Sequence, residues 1–468
     1  MRIDEEKREI STAAWSIASA LLSRGAGVIF TPIFTRILTP SEFGVYSLYT
    51  SLMGIFTVLC TLEISGSAIY KGFAAFDGER SDDFTTAAIG AEILLTAISF
   101  SVYVLFKREI NRISGLSVIL SLVLIAQIFS NAVIGIYIAR LRYRGNFKSV
   151  ALINGIEGIV SPPLALLLIF IGVRKTGRIY AQLAVSITVA VFLLVKTVKH
   201  PVKLFEKRIW KFLFKLLIPM LPHYVASSAL AQADKIIVAR RLGEGAVGKY
   251  AAAFSIGHLP SLFTGGVALA LTPYMIRRMK KGEKSDVEDT ARRAIGFAAL
   301  LVLLFLTVLP ETFKLFASED YYAALPVAFI TAMGLLFSFS VTLINNALLY
   351  YAKTIIITKN TLLTAMISIP LSYFLAERGG YLGVSLCSTA SYALLLVLSY
   401  QSLKKHAPEN TLKANNYLPI YAISLSFAIL IFILRPILFA RLLLFLAISL
   451  ILCVELIRTL RERRATGK

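Results

Sequence analysis

The chain has 468 residues, of which 57% are hydrophobic and 16% are charged. Ordinary soluble domains are about 45–50% apolar and about a quarter charged, so this composition excludes a string of soluble domains and indicates a membrane protein. The net charge of +22 does not indicate a nucleic-acid partner, because the basic residues are spread over loops between apolar segments. Membrane topology and anionic membrane lipids account for them better.

Apolar segments of about 20 residues, enough to cross a ~30 Å hydrocarbon core as a helix, follow one another along the chain. The first half holds six predicted spans, at 11–34, 43–70, 86–106, 116–138, 149–173 and 180–198. The second half holds six more, at 211–236, 247–276, 290–309, 324–351, 354–375 and 382–403, and two further spans follow at 417–434 and 437–457. The sequence thus predicts an all-α polytopic membrane protein with about fourteen transmembrane helices.

An internal duplication is visible in the sequence. The motif Gly-Glu-Arg-Ser-Asp at 78–82 recurs as Gly-Glu-Lys-Ser-Asp at 282–286, 204 residues later. The same offset pairs Arg36, Leu38, Gly44, Tyr46 and Ser51 with Arg240, Leu242, Gly248, Tyr250 and Ser255. Because six spans return the chain to its starting side, we predict two parallel six-helix bundles, 1–204 and 205–408, followed by a two-helix hairpin and basic tail at 409–468.

Lys and Arg are distributed unequally between the two sets of loops. The richer set includes 140–148, 196–215, 277–284 and the tail from 458. The positive-inside rule therefore predicts a cell-membrane protein with both termini in the cytoplasm. Residues 1–10 lead into a span without a small-residue cleavage site, so no removable signal peptide is expected.

Two motifs predict helix N-termini. Thr39-Pro40-Ser41-Glu42 has the capping-box pattern with proline at the first helical position, and Ser285-Asp286-Val287-Glu288 repeats the pattern in the second half.

Ionisable residues inside the spans are the strongest functional signal, because a charge at the bilayer centre costs about 2.5–3.5 kcal/mol and is retained where it is paired or hydrated. Arg24 is the deepest, about 13 residues or roughly 20 Å from the cytoplasmic end of the first span. Three more charges lie on the second, fifth and eleventh spans, and three amides add hydrogen-bonding groups: Glu63, Glu157, Lys359, Asn131, Asn154 and Asn345. A cavity that holds these groups suits an anionic cargo, whereas structural ion pairs and interhelical hydrogen bonds are the alternative interpretation.

Neither a metal, a disulfide nor an organic cofactor is expected. Cys60, Cys387 and Cys453 all lie in predicted spans without metal-ligand spacing. A phosphate-binding Gly-x-x-x-x-Gly-Lys-Ser/Thr motif is also missing from the sequence. We therefore expect a proton or sodium gradient to drive the protein, with Glu63 and Glu157 as the coupling carboxylates, because desolvation moves a carboxyl pKa toward neutrality.

Several motifs resemble those of a known family. In the first half they are Arg24-Gly25 and the run Phe-Thr-Arg-Ile-Leu-Thr-Pro-Ser-Glu-Phe-Gly-Val-Tyr at 34–46. In the second half they are Ile218-Pro219-Met220-Leu221-Pro222, Asp234-Lys235-Ile236-Ile237 and Gly248-Lys249-Tyr250. Together they resemble the polysaccharide transporters, the Wzx-type flippases of lipid-linked oligosaccharides, within the superfamily that also holds multidrug exporters and peptidoglycan-precursor flippases.

The resemblance implies two six-helix bundles around a central cationic cavity. By alternating access, they would move an isoprenoid-diphosphate-linked sugar from the cytoplasmic to the outer leaflet. It also implies a diphosphate-binding role for Arg24, a lipid-guiding role for the last two spans, and polysaccharide-assembly proteins as partners.

Two other functions remain open. A multidrug-type exporter would share the architecture, but Arg24 and Lys359 oppose a cationic cargo. A membrane-embedded polysaccharide polymerase or ligase would need an outward catalytic loop, whereas the predicted outer loops are short. No histidine lies in a catalytic or metal-binding motif, so we predict that the protein is not an enzyme.

Overall fold

The computed structural model describes residues 15, 29–66, 69–76, 80–198, 204–351, 353–407, 412 and 416–465. All regular structure within these residues is helical. Contacts divide the chain into two compact units, Met1–Arg240 and Arg241–Lys468, which we call unit 1 and unit 2. The predicted boundary between the two bundles, at 204/205, comes from the repeated sequence motifs. The units are defined by contacts and do not test that boundary, so it stays a prediction.

Unit 1 contains eight helices and most of a ninth within its described residues. They are α1 at 29–37, α2 (Pro40–Thr61), α3 (Ile69–Ala75), α4 (Arg80–Ser114), α5 (Val118–Tyr143), α6 (Phe147–Phe170), α7 (Gly177–Val198), α8 (Lys207–Leu217) and α9 (Leu221–Leu242). A 3₁₀ turn, Ile218–Met220, joins α8 to α9. Helix α5 packs against α2, α4, α6 and α7, and therefore lies at the centre of this unit.

Unit 2 is organised around α13. Its described helices are α10 (Glu244–Gly257), α11 (Ser261–Lys280), α12 (Lys284–Phe316), α13 (Leu325–Tyr350), α14 (Thr354–His406), α15 (Leu418–Ile433) and α16 (Leu438–Ala465). Helix α13 contacts α10, α11, α12 and α14, and most of its side chains are buried. The last two helices, α15 and α16, pack against α12.

Among the described residues, ten helices are long and apolar enough to cross a membrane, or eleven if the bent pair α10–α11 forms one span. The difference from the predicted fourteen has three sources. Most of the first predicted span lies outside the described residues. The eleventh and twelfth predicted spans form the single 53-residue helix α14, which is interrupted at Gly380 (φ 57°, ψ −150°). The thirteenth corresponds to α15, which has only 16 residues. The protein is therefore a multi-pass, all-helical membrane protein.

Two sequence expectations about helix ends had different outcomes. The first capping box forms: the Glu42 amide donates to the Thr39 hydroxyl and the Thr39 amide donates to the Glu42 carboxylate at 2.9 Å, so α2 begins at Pro40. The second does not form, because α12 begins one residue earlier than Ser285, and the side chain of its N-cap, Glu283, accepts from Arg278 instead of capping the helix.

The predicted second span, 43–70, was wrong at its C-terminal end. Helix α2 ends at Thr61, and Leu62 (φ 49°) and Glu63 (φ 57°) follow in left-handed conformations. A non-glycine residue at positive φ is uncommon and cannot continue a right-handed helix. The turn is closed by the Gly66 amide, which donates to the Glu63 carbonyl at 2.9 Å.

Candidate functional site

A cavity of about 370 Å³, lined by both polar and apolar side chains, lies within unit 1, between α1, α2, α5, α6 and α7. Its volume falls in the range of small-molecule sites, about 300–1,000 Å³. The side chains and backbone that line it include Phe30, Phe34, Tyr46, Asn131, Gly135, Glu157, Gly158, Ser161, Pro162, Arg178, Gln182 and Ser186. Charged and amide groups thus meet in a region that is built from apolar helices.

Arg178 is the cation of this cavity and lies in the first turn of α7. Its guanidinium carbon lies 3.7 Å from the ring centroid of Tyr46, 4.0 Å from that of Phe34 and 5.2 Å from that of Phe43. Aromatic faces attract a guanidinium through the ring quadrupole and pack against its plane. The rings therefore fix the orientation of the arginine at the cavity wall.

The loop before α7 is braced against the start of α2. The Arg174 Nε donates to Glu42 Oε1 at 2.7 Å, and its Nη2 donates to Glu42 Oε2 at 3.1 Å and to the Ile37 carbonyl at 2.6 Å. The Glu42 carboxylate raises the pKa of Arg174, which is exposed. Because Glu42 also completes the capping box of α2, one carboxylate links the α6–α7 loop to the helix that carries Tyr46.

Two polar residues that follow Arg178 along α7 also line the cavity. Gln182 and Ser186 follow Arg178 at intervals of four residues, which places all three on one face of the helix. The Tyr46 hydroxyl donates to the Gln182 Oε1 at 3.4 Å. This face therefore presents a guanidinium, an amide and a hydroxyl to the same space.

Helix α6, which packs against α7, also lines the cavity, with Glu157, Gly158 and Ser161. Pro162 and Pro163 lie inside this helix, and proline has no amide hydrogen to donate to the carbonyl four residues earlier. The Gly158 carbonyl, beside Glu157, therefore lacks the amide donor that residue 162 would supply in a regular helix. A carboxylate next to such a carbonyl is a combination of oxygens that suits a proton or a small cation.

The polysaccharide biosynthesis protein family matches residues 11–279, more than half of the chain. The chain belongs to this family. It is also similar to the probable low-salt glycan biosynthesis flippase Agl15 of Haloferax volcanii, with 23% identity over 386 residues that cover 80% of this chain and 79% of the relative.

Solved structures share the fold. The inward closed conformation of the lipid II flippase MurJ superposes with a TM-score of 0.75 at 17% identity, covering 96% of this chain and 99% of MurJ. An inward-facing multidrug resistance MATE family transporter of the MOP superfamily superposes with a TM-score of 0.63 at 15% identity, covering 85% of this chain and 96% of the transporter. At these identities the likeness shows the fold alone.

Two of the residues predicted from the sequence, Asn131 and Glu157, line the cavity of unit 1. Asn131 lies on α5, where its Nδ2 approaches the Met53 sulfur at 3.9 Å. Asn154 lies on α6, one turn before Glu157, and is not among the lining residues. The functional roles of all three stay predictions.

The other predicted residues lie elsewhere. Arg24 falls outside the described residues. Glu63 lies in the turn after α2 rather than within a span, and burial raises the pKa of its carboxyl. Lys359 and Asn345 belong to unit 2, where Lys359 is exposed on α14. The Asn345 Oδ1 on α13 is buried and has no hydrogen-bond partner in the described part of the chain.

Sequence reasoning missed Arg178, Gln182 and Tyr46 as cavity residues. Arg178 was assigned to an outer loop because it falls just before the predicted span at 180–198. The spacing of Arg178, Gln182 and Ser186 in an otherwise apolar segment was the signal that could have identified them.

A second buried carboxyl was also missed. Glu92 on α4 has no exposed surface and receives one bond, from the Thr96 hydroxyl at 3.4 Å. Its Oε2 has no partner within the described residues. Glu92 does not line the cavity. No group of three or more His, Cys, Asp and Glu side chains in the described residues is placed to hold a metal ion.

Proposed function

We propose that this protein is a flippase that moves an isoprenoid-diphosphate-linked oligosaccharide from the cytoplasmic to the outer leaflet, by alternating access, during surface polysaccharide synthesis. Membership of the polysaccharide biosynthesis family supports the pathway. The similarity to a probable glycan biosynthesis flippase supports the type of transport. The observation that carries the proposal is the cavity in unit 1, where Arg178 meets aromatic rings and amides.

These groups match the chemistry of the proposed cargo. A guanidinium binds two phosphate oxygens at once through its planar fork and keeps its charge throughout the physiological pH range. Asn131, Gln182 and Ser186 offer hydrogen bonds to sugar hydroxyls, and the rings of Phe34 and Tyr46 offer apolar faces. A cavity of about 370 Å³ is too small for a whole lipid-linked oligosaccharide, so it would receive the diphosphate and the adjacent sugar.

The transport architecture is part of the proposal. Helix α2 begins at Pro40 and α10 at Glu244, and α4 begins at Arg80 and α12 at Lys284, so both pairs of starts are 204 residues apart. These spacings support two parallel repeats. We place both termini in the cytoplasm, retain Arg24 as a further diphosphate ligand, and assign lipid-tail guidance to α15 and α16.

Energy would come from a proton or sodium gradient. Glu157 is the primary candidate for coupling, because it shares the cavity with Arg178 and adjoins the Gly158 carbonyl that Pro162 leaves without a helical donor. Cargo phosphate near Arg178 would change the electrostatic field at Glu157 and thereby its affinity for a cation. Glu63 remains a second candidate, outside the cavity.

The decisive experiment measures flipping of a fluorescent isoprenoid-diphosphate-linked sugar in proteoliposomes that contain wild type, Arg178→Ala or Arg178→Lys. We expect Arg178→Ala to lose roughly 100-fold or more of the rate, because truncating one partner of a hydrogen-bonded charge pair costs about 2–5 kcal/mol. Lysine should restore only part of the rate, since it lacks the planar fork.

Arg435→Ala is the matched control. Arg435 also lies over an aromatic ring, 4.4 Å from the Phe432 centroid, but it is exposed and does not line the cavity. Wild-type flipping by Arg178→Ala, with a normal amount of folded protein, would contradict the proposed site.

A small-molecule exporter is the second candidate, and Glu157 in the cavity is the observation that favours it, because a carboxylate suits a cationic drug. The adjacent Arg178 opposes it. Cells that express the protein would become drug-resistant under this alternative, whereas the flippase proposal predicts unchanged drug sensitivity together with export of polysaccharide.

A further inference from the structure

Helix α8 divides into two unlike faces. Ile209, Leu213 and Leu217 recur every fourth residue and are 4%, 1% and 0% exposed. They pack into a core with residues from the beginning of α4 and the end of α5, such as Phe84 and Ile136. One face of α8 is therefore an integral part of the folded unit 1.

The position of α8 on α4 is fixed by close contacts. The Trp210 Nε1 donates to the Ala87 carbonyl at 2.9 Å. The Leu204 carbonyl, just before α8, lies so close to Gly90 that a Cβ on that glycine would be 2.0 Å from the oxygen. These contacts hold α8 across the first turns of α4.

The opposite face of α8 carries Lys207, Arg208, Lys211 and Lys215, which are all exposed. At 3.6 residues per turn these four side chains fall within an arc of about 100°. In the described part of the chain none of them pairs with a carboxylate, and Glu206 is the one acidic residue next to them in the sequence. We call these four residues the basic face.

The level of α8 is that of a membrane surface. Helix α4 has 35 residues and a kink at Phe106; its part before the kink, 80–105, is about 39 Å long at 1.5 Å per residue and exceeds a hydrocarbon core of ~30 Å. Ala87 and Gly90, which α8 contacts, lie about 10–15 Å from the first residue of α4. Phe205 is 65% exposed and packs edge-on against Trp210, and such aromatic side chains are typical of the headgroup region.

We infer that the basic face of α8 is a binding surface for the anionic headgroups of membrane phospholipids. Four cations without carboxylate partners, next to aromatic side chains and at headgroup level, form the combination that attracts anionic lipid. An acidic soluble protein is the rival occupant, and it is separated from lipid by the experiment below.

The two tryptophans of the chain allow a direct test. The Trp15→Phe variant leaves Trp210, on α8 itself, as the sole tryptophan. This variant is placed in phosphatidylcholine nanodiscs in which an equal fraction of the lipid is brominated phosphatidylglycerol or brominated phosphatidylcholine. We expect brominated phosphatidylglycerol to quench Trp210 about twofold more strongly, and the excess to fall as salt is added.

In the variant K207Q/R208Q/K211Q/K215Q, made in the Trp15→Phe background, both brominated lipids should quench Trp210 equally. The variant K207R/K211R/K215R preserves the charge of the basic face, so phosphatidylglycerol should still quench Trp210 more strongly. This result would show that the helix tolerates substitution at these positions. The control K107Q/R108Q/R112Q removes three exposed cations at the other end of α4, and this variant should also keep the preference for phosphatidylglycerol.

The inference would be overturned if both lipids quenched Trp210 equally in the Trp15→Phe protein. It would also be overturned if the preference for phosphatidylglycerol survived in K207Q/R208Q/K211Q/K215Q. Either result would favour a soluble partner for the basic face. Flipping is not measured in this experiment. Its result is therefore independent of the proposed transport function.

Discussion

Arg178 in unit 1 and Arg441 in unit 2 both lie in helices of apolar sequence, but their surroundings differ in kind. Arg178 contacts the faces of aromatic rings and lines a cavity. Arg441 is 5% exposed and donates to both carboxylate oxygens of Glu311 at 2.6 Å and to the Thr307 carbonyl at 2.8 Å. The carboxylate balances the charge of Arg441 and ties α16 to α12.

The comparison shows that two arginines in apolar helices can have different kinds of partner, a carboxylate in one case and aromatic rings in the other. An arginine that a bidentate carboxylate neutralises contributes mainly to the attachment of one helix to another. An arginine that rings hold at a cavity wall is placed to bind an anion. If this distinction is correct, the two arginines should respond oppositely to substitution.

Arg441→Ala should have the largest effect on stability, a loss of about 3 kcal/mol. This is the lower end of the cost of breaking a buried ion pair, because Glu311 is half exposed. Thermal unfolding in detergent measures it, and a double-mutant cycle with Glu311→Gln isolates the pair. Flipping per folded molecule should stay within about twofold of wild type. If Arg441→Ala were as stable as wild type but lost as much flipping as Arg178→Ala, the proposed difference between the two arginines would be wrong.

Glu157→Gln tests whether the cavity of unit 1 also holds the coupling group. The gradient-dependent part of flipping should fall roughly tenfold, a typical size for a coupling free energy, while the amount of folded protein is unchanged. Proteoliposomes with an imposed proton or sodium gradient provide the measurement, and Glu109→Gln, an exposed carboxylate on α4, is the control. Gradient dependence equal to that of wild type would remove Glu157 from coupling.

The two capping motifs give a smaller difference between the units. Thr39→Ala removes a side-chain cap and should cost about 1 kcal/mol. Ser285→Ala should change stability by less than about 0.5 kcal/mol, because Ser285 is not the N-cap of α12. Thermal unfolding of both variants is the measurement, and equal losses would show that the second motif does cap its helix.

Glu63 gives the smallest predicted effect, a pH dependence of stability. Burial raises its pKa in the folded state above the ordinary value of 4.5, so between these two values the folded state binds more protons than the unfolded state. Stability should therefore fall as pH rises from about 4.5 through the raised pKa and then level off. Glu63→Gln should flatten this part of the profile, and an unchanged slope would show that Glu63 does not cause it.

Much of the fold was predictable from the sequence because the bilayer imposes it. A span must be apolar, about 20 residues long and helical, so the segments around α4, α5, α6, α7, α12 and α13 were identified from hydropathy alone. Thr39 and Glu42 fixed the start of α2, because a capping box needs only residues that are close in sequence.

Helix ends and the cavity depended on tertiary packing. The turn at Leu62 and Glu63 has positive φ at residues that do not favour it, so no local pattern marked the end of α2. Hydropathy placed Arg178 outside the bilayer core, whereas aromatic rings from α1 and α2 hold it at a cavity wall. The sequence alone determined which segments are helical and which charges they carry. Only the packing of helices distant in sequence decided which of those charges share one space, because that depends on how side chains from several helices fit together.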